Sequence, residues 1–109
     1  MSITIEQLRL FIAIAEEGSF SAAGRKLDKV QSAVSYSISK LEQELGVKLF
    51  DRSTRSPSLT RAGESLLIEA RNSLRQVDRL HHQARAISSG LEASLSIAID
   101  ALFPVPGLV

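Results

Sequence analysis

The sequence predicts a mainly α-helical chain: a winged helix-turn-helix domain over residues 1–60, then a long helix over residues 61–90. Three observations predict it. Apolar residues recur at spacings of three and four from Ile5 to Leu45, punctuated by Gly18 and Gly46. A polar, basic stretch at 51–57 is flanked by short apolar runs, as in a hairpin. A single apolar stripe then extends from Leu66 to Ile87.

The first helix spans about Ile5 to Glu17. Ile5, Leu8, Ile12 and Ala15 share a face, Thr4 with Gln7 makes a capping box, and Gly18 stands where a left-handed residue closes a helix. A shorter second helix fits Ser21 to Leu27, with Ser19 and Ser21 as caps and Phe20 as a staple. After Asp28-Lys29-Val30 a third helix carries Val34, Ile38, Leu41 and Leu45 on one stripe and ends at Gly46, and Asp28 with Gln31 offers it a capping box. Two helices across so short a turn, braced by an earlier one, form a helix-turn-helix unit.

Val47, Leu49 and Phe50 lead into the tip Asp51–Pro57 and the return Ser58-Leu59, which reads as a wing. From Thr60 to Gly90 the period is helical, with Leu66, Ala70, Leu74, Val77, Leu80, Ala84 and Ile87 on one stripe. Thirty residues make a helix of about 45 Å, too long to bury its stripe on a small domain. The remainder calls for a partner, most simply a second copy, so these seven residues are the expected dimerisation face. Beyond Gly90 the period becomes two, with Leu95, Ile97 and Ile99 alternating against polar or small residues. Residues 91–109 are therefore expected to form the first strand and the start of a further domain.

Composition narrows the function. The 109 residues hold 13 Lys+Arg against 12 Asp+Glu, for a net charge of +1, and no Cys. Thiolate metal sites, disulfides and cysteine nucleophiles are thereby excluded. No apolar run approaches the roughly 20 residues that span a bilayer, and no basic segment precedes a signal-like core. The expectation is a soluble, unprocessed, cytoplasmic chain without membrane contact. Residues 25–55 carry seven Lys/Arg against four acids, a mild excess that fits a nucleic-acid surface without establishing one.

The outward face of the third helix is more informative. It reads Gln31, Ser32, Ser35, Tyr36, Ser39 and Gln43, with no carboxylate, where an ordinary solvated face would show Glu/Lys pairs. Short hydrogen-bonding side chains suit a helix that enters the major groove of DNA. Gln31 can pair bidentately with adenine or cap its own helix. Ser19, Ser21 and Ser35 can cap or bond back to the helix, or can bind phosphate. Lys26, Lys29, Lys40 and Lys48 are open between solubilising charges and phosphate contacts. Adjacent His81 and His82 point about 100° apart on a helix and cannot share a metal from one face. Glu16-Glu17 and Glu42 with Glu44 lack the nucleophile and oxyanion donors that acid/base catalysis needs, so neither enzyme activity nor a cofactor is expected. A protein-interaction module working through the long helix is the alternative reading.

Ser19-Phe20-Ser21-Ala22-Ala23, Gln31-Ser32-Ala33-Val34-Ser35, Leu41-Glu42, Leu45-Gly46-Val47, Leu49-Phe50-Asp51-Arg52 and Leu59-Thr60-Arg61-Ala62-Gly63 together resemble the N-terminal signature of LysR-type transcriptional regulators. The resemblance covers about residues 4–90. It implies a bacterial, sequence-specific DNA-binding regulator that dimerises through a linker helix and assembles as a dimer of dimers on double-stranded DNA. A small-molecule effector would act only through a C-terminal domain of which this chain holds the first strand. By the same resemblance the recognition helix at 31–45 contributes Gln31, Ser32, Ser35 and Tyr36, and the wing at 51–57 contributes Arg52 and Arg55, the latter for the minor groove. The chain departs from the family pattern twice. Val30-Gln31-Ser32 stands where Ser, Gln and Pro are usual, and Tyr36 replaces a common Arg.

Overall fold

The computed structural model describes residues 2–103. Its elements are α1 (Ile5–Glu17), α2 (Phe20–Lys26), α3 (Gln31–Leu45), β1 (Phe50–Asp51), β2 (Ser58–Leu59) and α4 (Arg61–Leu102). The chain divides into two compact units, Met1–Arg75 and Gln76–Val109.

In the first unit α1 begins with the expected capping box. The Thr4 hydroxyl accepts from Gln7 N at 3.1 Å, while the Gln7 side chain accepts from Thr4 N at 2.8 Å. Gly18 closes the helix at φ 77°. In α2 the cap is Ser19 alone, its hydroxyl accepting from Ala22 N at 3.0 Å, so the helix starts one residue earlier than expected and Ser21 lies inside it. The expected Asp28–Gln31 capping box does not form. Asp28 takes φ 57°, and α3 starts at Gln31 behind Val30, whose side chain makes no capping bond.

The core joins Leu10, Phe11 and Ile14 of α1, Ala23 of α2, Val34, Ile38 and Leu41 of α3, Leu49, and Leu67 and Ala70 of α4. Phe50, on β1, meets Phe11 and Phe20 edge to face, with centroids 5.6 Å and 5.8 Å apart. Such pairs contribute about 0.5–1.5 kcal/mol each beyond the area they bury. Gly24 sits where α2 meets the turn, and a Cβ there would lie 2.6 Å from the Lys29 carbonyl oxygen. Only a glycine lets the two helices close over so short a turn.

The wing is an antiparallel pair with Phe50 opposite Leu59 and Asp51 opposite Ser58. Its base is tied to the start of α4 through Thr60. The Thr60 hydroxyl donates to Lys48 O at 2.6 Å and accepts from Gly63 N at 2.9 Å, and Thr60 N donates to Leu49 O at 3.0 Å.

Residues 76–102 of the second unit are helical, and here the sequence expectation is corrected twice. Gly90 does not end the helix, and Leu95, Ile97 and Ile99 lie on it rather than on a strand. A strand without a neighbour leaves its amides and carbonyls unpaired, whereas a helix pairs them internally. Leu91, Leu95, Ala98 and Leu102, spaced four, three and four, continue the stripe that reaches Ile87. The part of the expected strand region at 104–109 lies outside the described residues.

Candidate nucleic-acid interface

Three elements converge on one cleft of about 340 Å³. Ser19, Phe20 and Ser21 come from the start of α2, Gln31 and Ser35 from α3, and Arg52, Thr54, Arg55 and Pro57 from the wing. Six of the expected contact residues, Ser19, Ser21, Gln31, Ser35, Arg52 and Arg55, thus meet in a cleft whose lining contains no carboxylate. Thr54 and Pro57 also line it and were not singled out in the sequence. Turn residues carry no periodic signal, and only the hairpin geometry brings them there.

The other expected residues lie nearby on α3. Ser32, Tyr36 and Lys40 are exposed, and Tyr36 retains 67% of its surface. Ser39 borders a neighbouring cleft with Glu42, Lys48, Phe50, Asp51, Arg52, Ser53 and Thr60. Gln31 is exposed at the first position of α3, so the capping role left open for it is not taken up. The Ser19 hydroxyl is committed to its cap.

The charges around the cleft differ in freedom. Lys26 pairs with Glu16 and Glu17 at 3.7 Å and 3.4 Å, and Lys29 pairs with Glu6. Arg52 lies with its guanidinium 4.3 Å from the Phe20 ring centroid and 3.9 Å from Glu42 Oε1. Among the described residues, none of the ion pairs involves Lys40 or Arg55. At the wing tip Asp51 accepts from Ser53 N at 2.9 Å. The Ser53 side chain, and after it that amide, hold the Asp51 carboxyl below its usual range.

The sequence reading weighed Glu42 only as a motif residue and a rejected acid/base partner and missed its burial: among the described residues it is the one charged residue in the core, 6% exposed. Its Oε2 accepts from Leu49 N at 2.8 Å and Phe50 N at 3.4 Å. The neighbouring apolar stripe of α3 was the available signal, since a carboxylate next to it needs partners if it is buried.

Of the expected dimerisation residues, Ala70 is buried within the first unit and Leu66 and Leu74 are half-buried there. In the second unit Val77 is half-buried, whereas Leu80, Ala84 and Ile87 are exposed, as are Leu91 and Leu95. No helix of the described residues is long and apolar enough to cross a membrane. Among the described residues no group of three His, Cys, Asp or Glu side chains could hold a metal.

Residues 5–64 match the family described as "Bacterial regulatory helix-turn-helix protein, lysR family". The probable HTH-type transcriptional regulator YhaJ of Escherichia coli K12 is 44% identical over 105 residues, which cover 96% of this chain and 35% of that protein. The chain thus spans about a third of the length of the curated relatives it matches. Among solved structures, the CbnR_DBD–DNA complex superposes with a TM-score of 0.76 at 37% identity, covering 79% of this chain and 99% of that one. The BenM_DBD/benA site 1 DNA complex gives 0.77 at 35% identity, covering 81% and 99%.

Proposed function

The chain belongs to the lysR family of bacterial regulatory helix-turn-helix proteins, and from that premise we propose that it binds a specific double-stranded DNA sequence and regulates transcription there. The observation that carries this is the cleft in which α2, α3 and the wing bring serines, a glutamine and arginines together with no carboxylate. A phosphate-facing surface needs that absence, because a carboxylate there would repel the backbone.

In this reading α3 enters the major groove. Gln31 pairs with a base edge, Ser32, Ser35 and Ser39 hydrogen-bond bases or phosphates, and Tyr36 places its phenol on a phosphate or a thymine methyl. Ser21 and the free N–H groups behind Ser19 face the backbone, and Lys40 supplies a phosphate contact. Arg55 enters the minor groove from the wing. Arg52 differs from the others in that its guanidinium is already engaged, by Phe20 and Glu42.

Two copies pair through the α4 stripe, with Leu80, Ala84 and Ile87 at its exposed centre. Their exposure favours this pairing, since a lone chain leaves that apolar row in water. A dimer of dimers, and any small-molecule effector site, would depend on the C-terminal domain that the family resemblance implies. Such a regulator works in the cytoplasm, where its DNA is.

Retardation of a duplex tests the reading. Affinity is expected to fall steeply with salt and to favour a sequence enriched from a random pool over bulk DNA by about 10³-fold or more. Salt-independent binding, or none, would overturn it.

A further inference from the structure

We propose that Glu42 is a positioning residue that holds Arg52 off the DNA backbone, leaving Arg55 as the free cation of the wing. The inference rests on the DNA-binding reading and adds to it a limit on sequence-independent affinity that touches no base.

The two oxygens of Glu42 do different work. Oε2 accepts from the backbone amides of Leu49 and Phe50, which fixes the start of the wing against α3. Oε1 faces Lys48 Nζ and Arg52 Nη2, each at 3.9 Å. Lys48 is 80% exposed, whereas Arg52 is 42% exposed and is held on a second side by the Phe20 ring at 4.3 Å. Phe20 in turn packs on Phe50, and Phe50 on Phe11, so the guanidinium caps a row of core aromatics.

An arginine held this way is poorly placed to follow a phosphate. Leaving would take an ion-pair partner from a carboxylate whose side chain is 5% exposed, leaving it the Leu49 and Phe50 amides and an exposed lysine, and a buried charge that loses its partner costs more than a lost surface pair. Arg52 therefore releases few counterions on binding. Phosphate contacts strengthen binding to every sequence alike, so withholding one lowers affinity for all duplexes by the same factor and keeps binding to bulk DNA weak.

Glu42→Gln separates the two roles, because a glutamine oxygen still accepts from the Leu49 and Phe50 amides while the charge facing Arg52 is lost. Binding to a random duplex of about 25 base pairs would be followed against salt for wild type, Glu42→Gln, Arg52→Ala and the double variant. Glu42→Gln is expected to steepen the slope of log K against log salt by about 0.9, the value of one phosphate contact. Its affinity for the random duplex rises severalfold, and its affinity for a duplex enriched by the wild type rises by the same factor. Arg52→Ala alone leaves the slope unchanged, and in the double variant the steepening disappears. In the protein without DNA, the ring-current shift of the Arg52 Nε–H resonance is lost in Glu42→Gln.

A slope flattened by about 0.9 in Arg52→Ala alone would place that guanidinium on a phosphate and overturn the inference. The same variant decides the matter if Glu42→Gln fails to fold. A gain that persists in the double variant belongs to Lys48 or to net charge and also overturns it. Wild type that binds with the wrong pattern of slopes defeats this inference alone, and wild type that binds no duplex defeats the DNA-binding reading with it.

Discussion

Gln31 stands at the first position of α3, exposed and free of any capping duty. Gln31→Ala is expected to lower discrimination at one base pair by about 1–3 kcal/mol while leaving affinity for random DNA nearly unchanged, as competition binding with single-base variants of the site would show. Equal losses on both DNAs would assign Gln31 to a phosphate. A second expectation concerns the wing tip, where Ser53 holds the Asp51 carboxyl below its usual range. Because the folded value is the depressed one, the stabilisation is present above the unfolded value and is lost as pH falls through the folded one. Amide exchange at Ser53 should therefore quicken, relative to the intrinsic rate, only on acidification below about pH 4. The polar face of α3 was legible in the sequence because serines are poor choices for a solvated helix face. The engagement of Arg52 was not, since Phe20 and Glu42 reach it from two other elements.

At the scale of elements, α1 and α3 were legible to the residue because each ends at a glycine in the left-handed conformation, Gly18 at φ 77° and Gly46 at φ 74°. The helical course of 91–102 was obscured. Leu95 and Ile99 fit a period of two through Ile97, and Leu95 also fits the helical row from Leu91 to Leu102, so local pattern alone had no means of choosing. Gly90 offers a direct check on the helix there. Its surroundings are open, and it is not among the positive-φ glycines. Gly90→Ala should raise helix content by circular dichroism and stabilise the segment by up to about 1 kcal/mol, whereas at a left-handed cap the same change would destabilise it. The stripe of α4 makes its own prediction. Val77→Asp combined with Leu80→Asp should yield a monomer in sedimentation velocity, because two charges in a dry seam cost more than a marginal interface supplies. A persisting dimer would place the interface elsewhere.

For the molecule as a whole, a net charge of +1 understates what the cleft between α2, α3 and the wing presents, since Glu6, Glu16 and Glu17 pair with lysines that do not line it. Arg55→Ala is accordingly expected to reduce the salt slope by about one unit, with the loss of affinity concentrated on sites flanked by A·T-rich DNA, measured by parallel titrations on A·T-rich and G·C-rich flanks. A change of slope independent of flanking sequence would put Arg55 on the outer backbone instead. The apolar face of α4 bears on abundance. If its complement lies on another copy, as proposed, pairing is governed by mass action and is more complete the more of the protein a cell holds. On the proposed pairing, molecules at low copy number would occupy DNA singly and dissociate singly. As copies accumulated, paired chains would engage two half-sites at once and leave far more slowly. Gene dosage would thereby become an input to regulation in its own right.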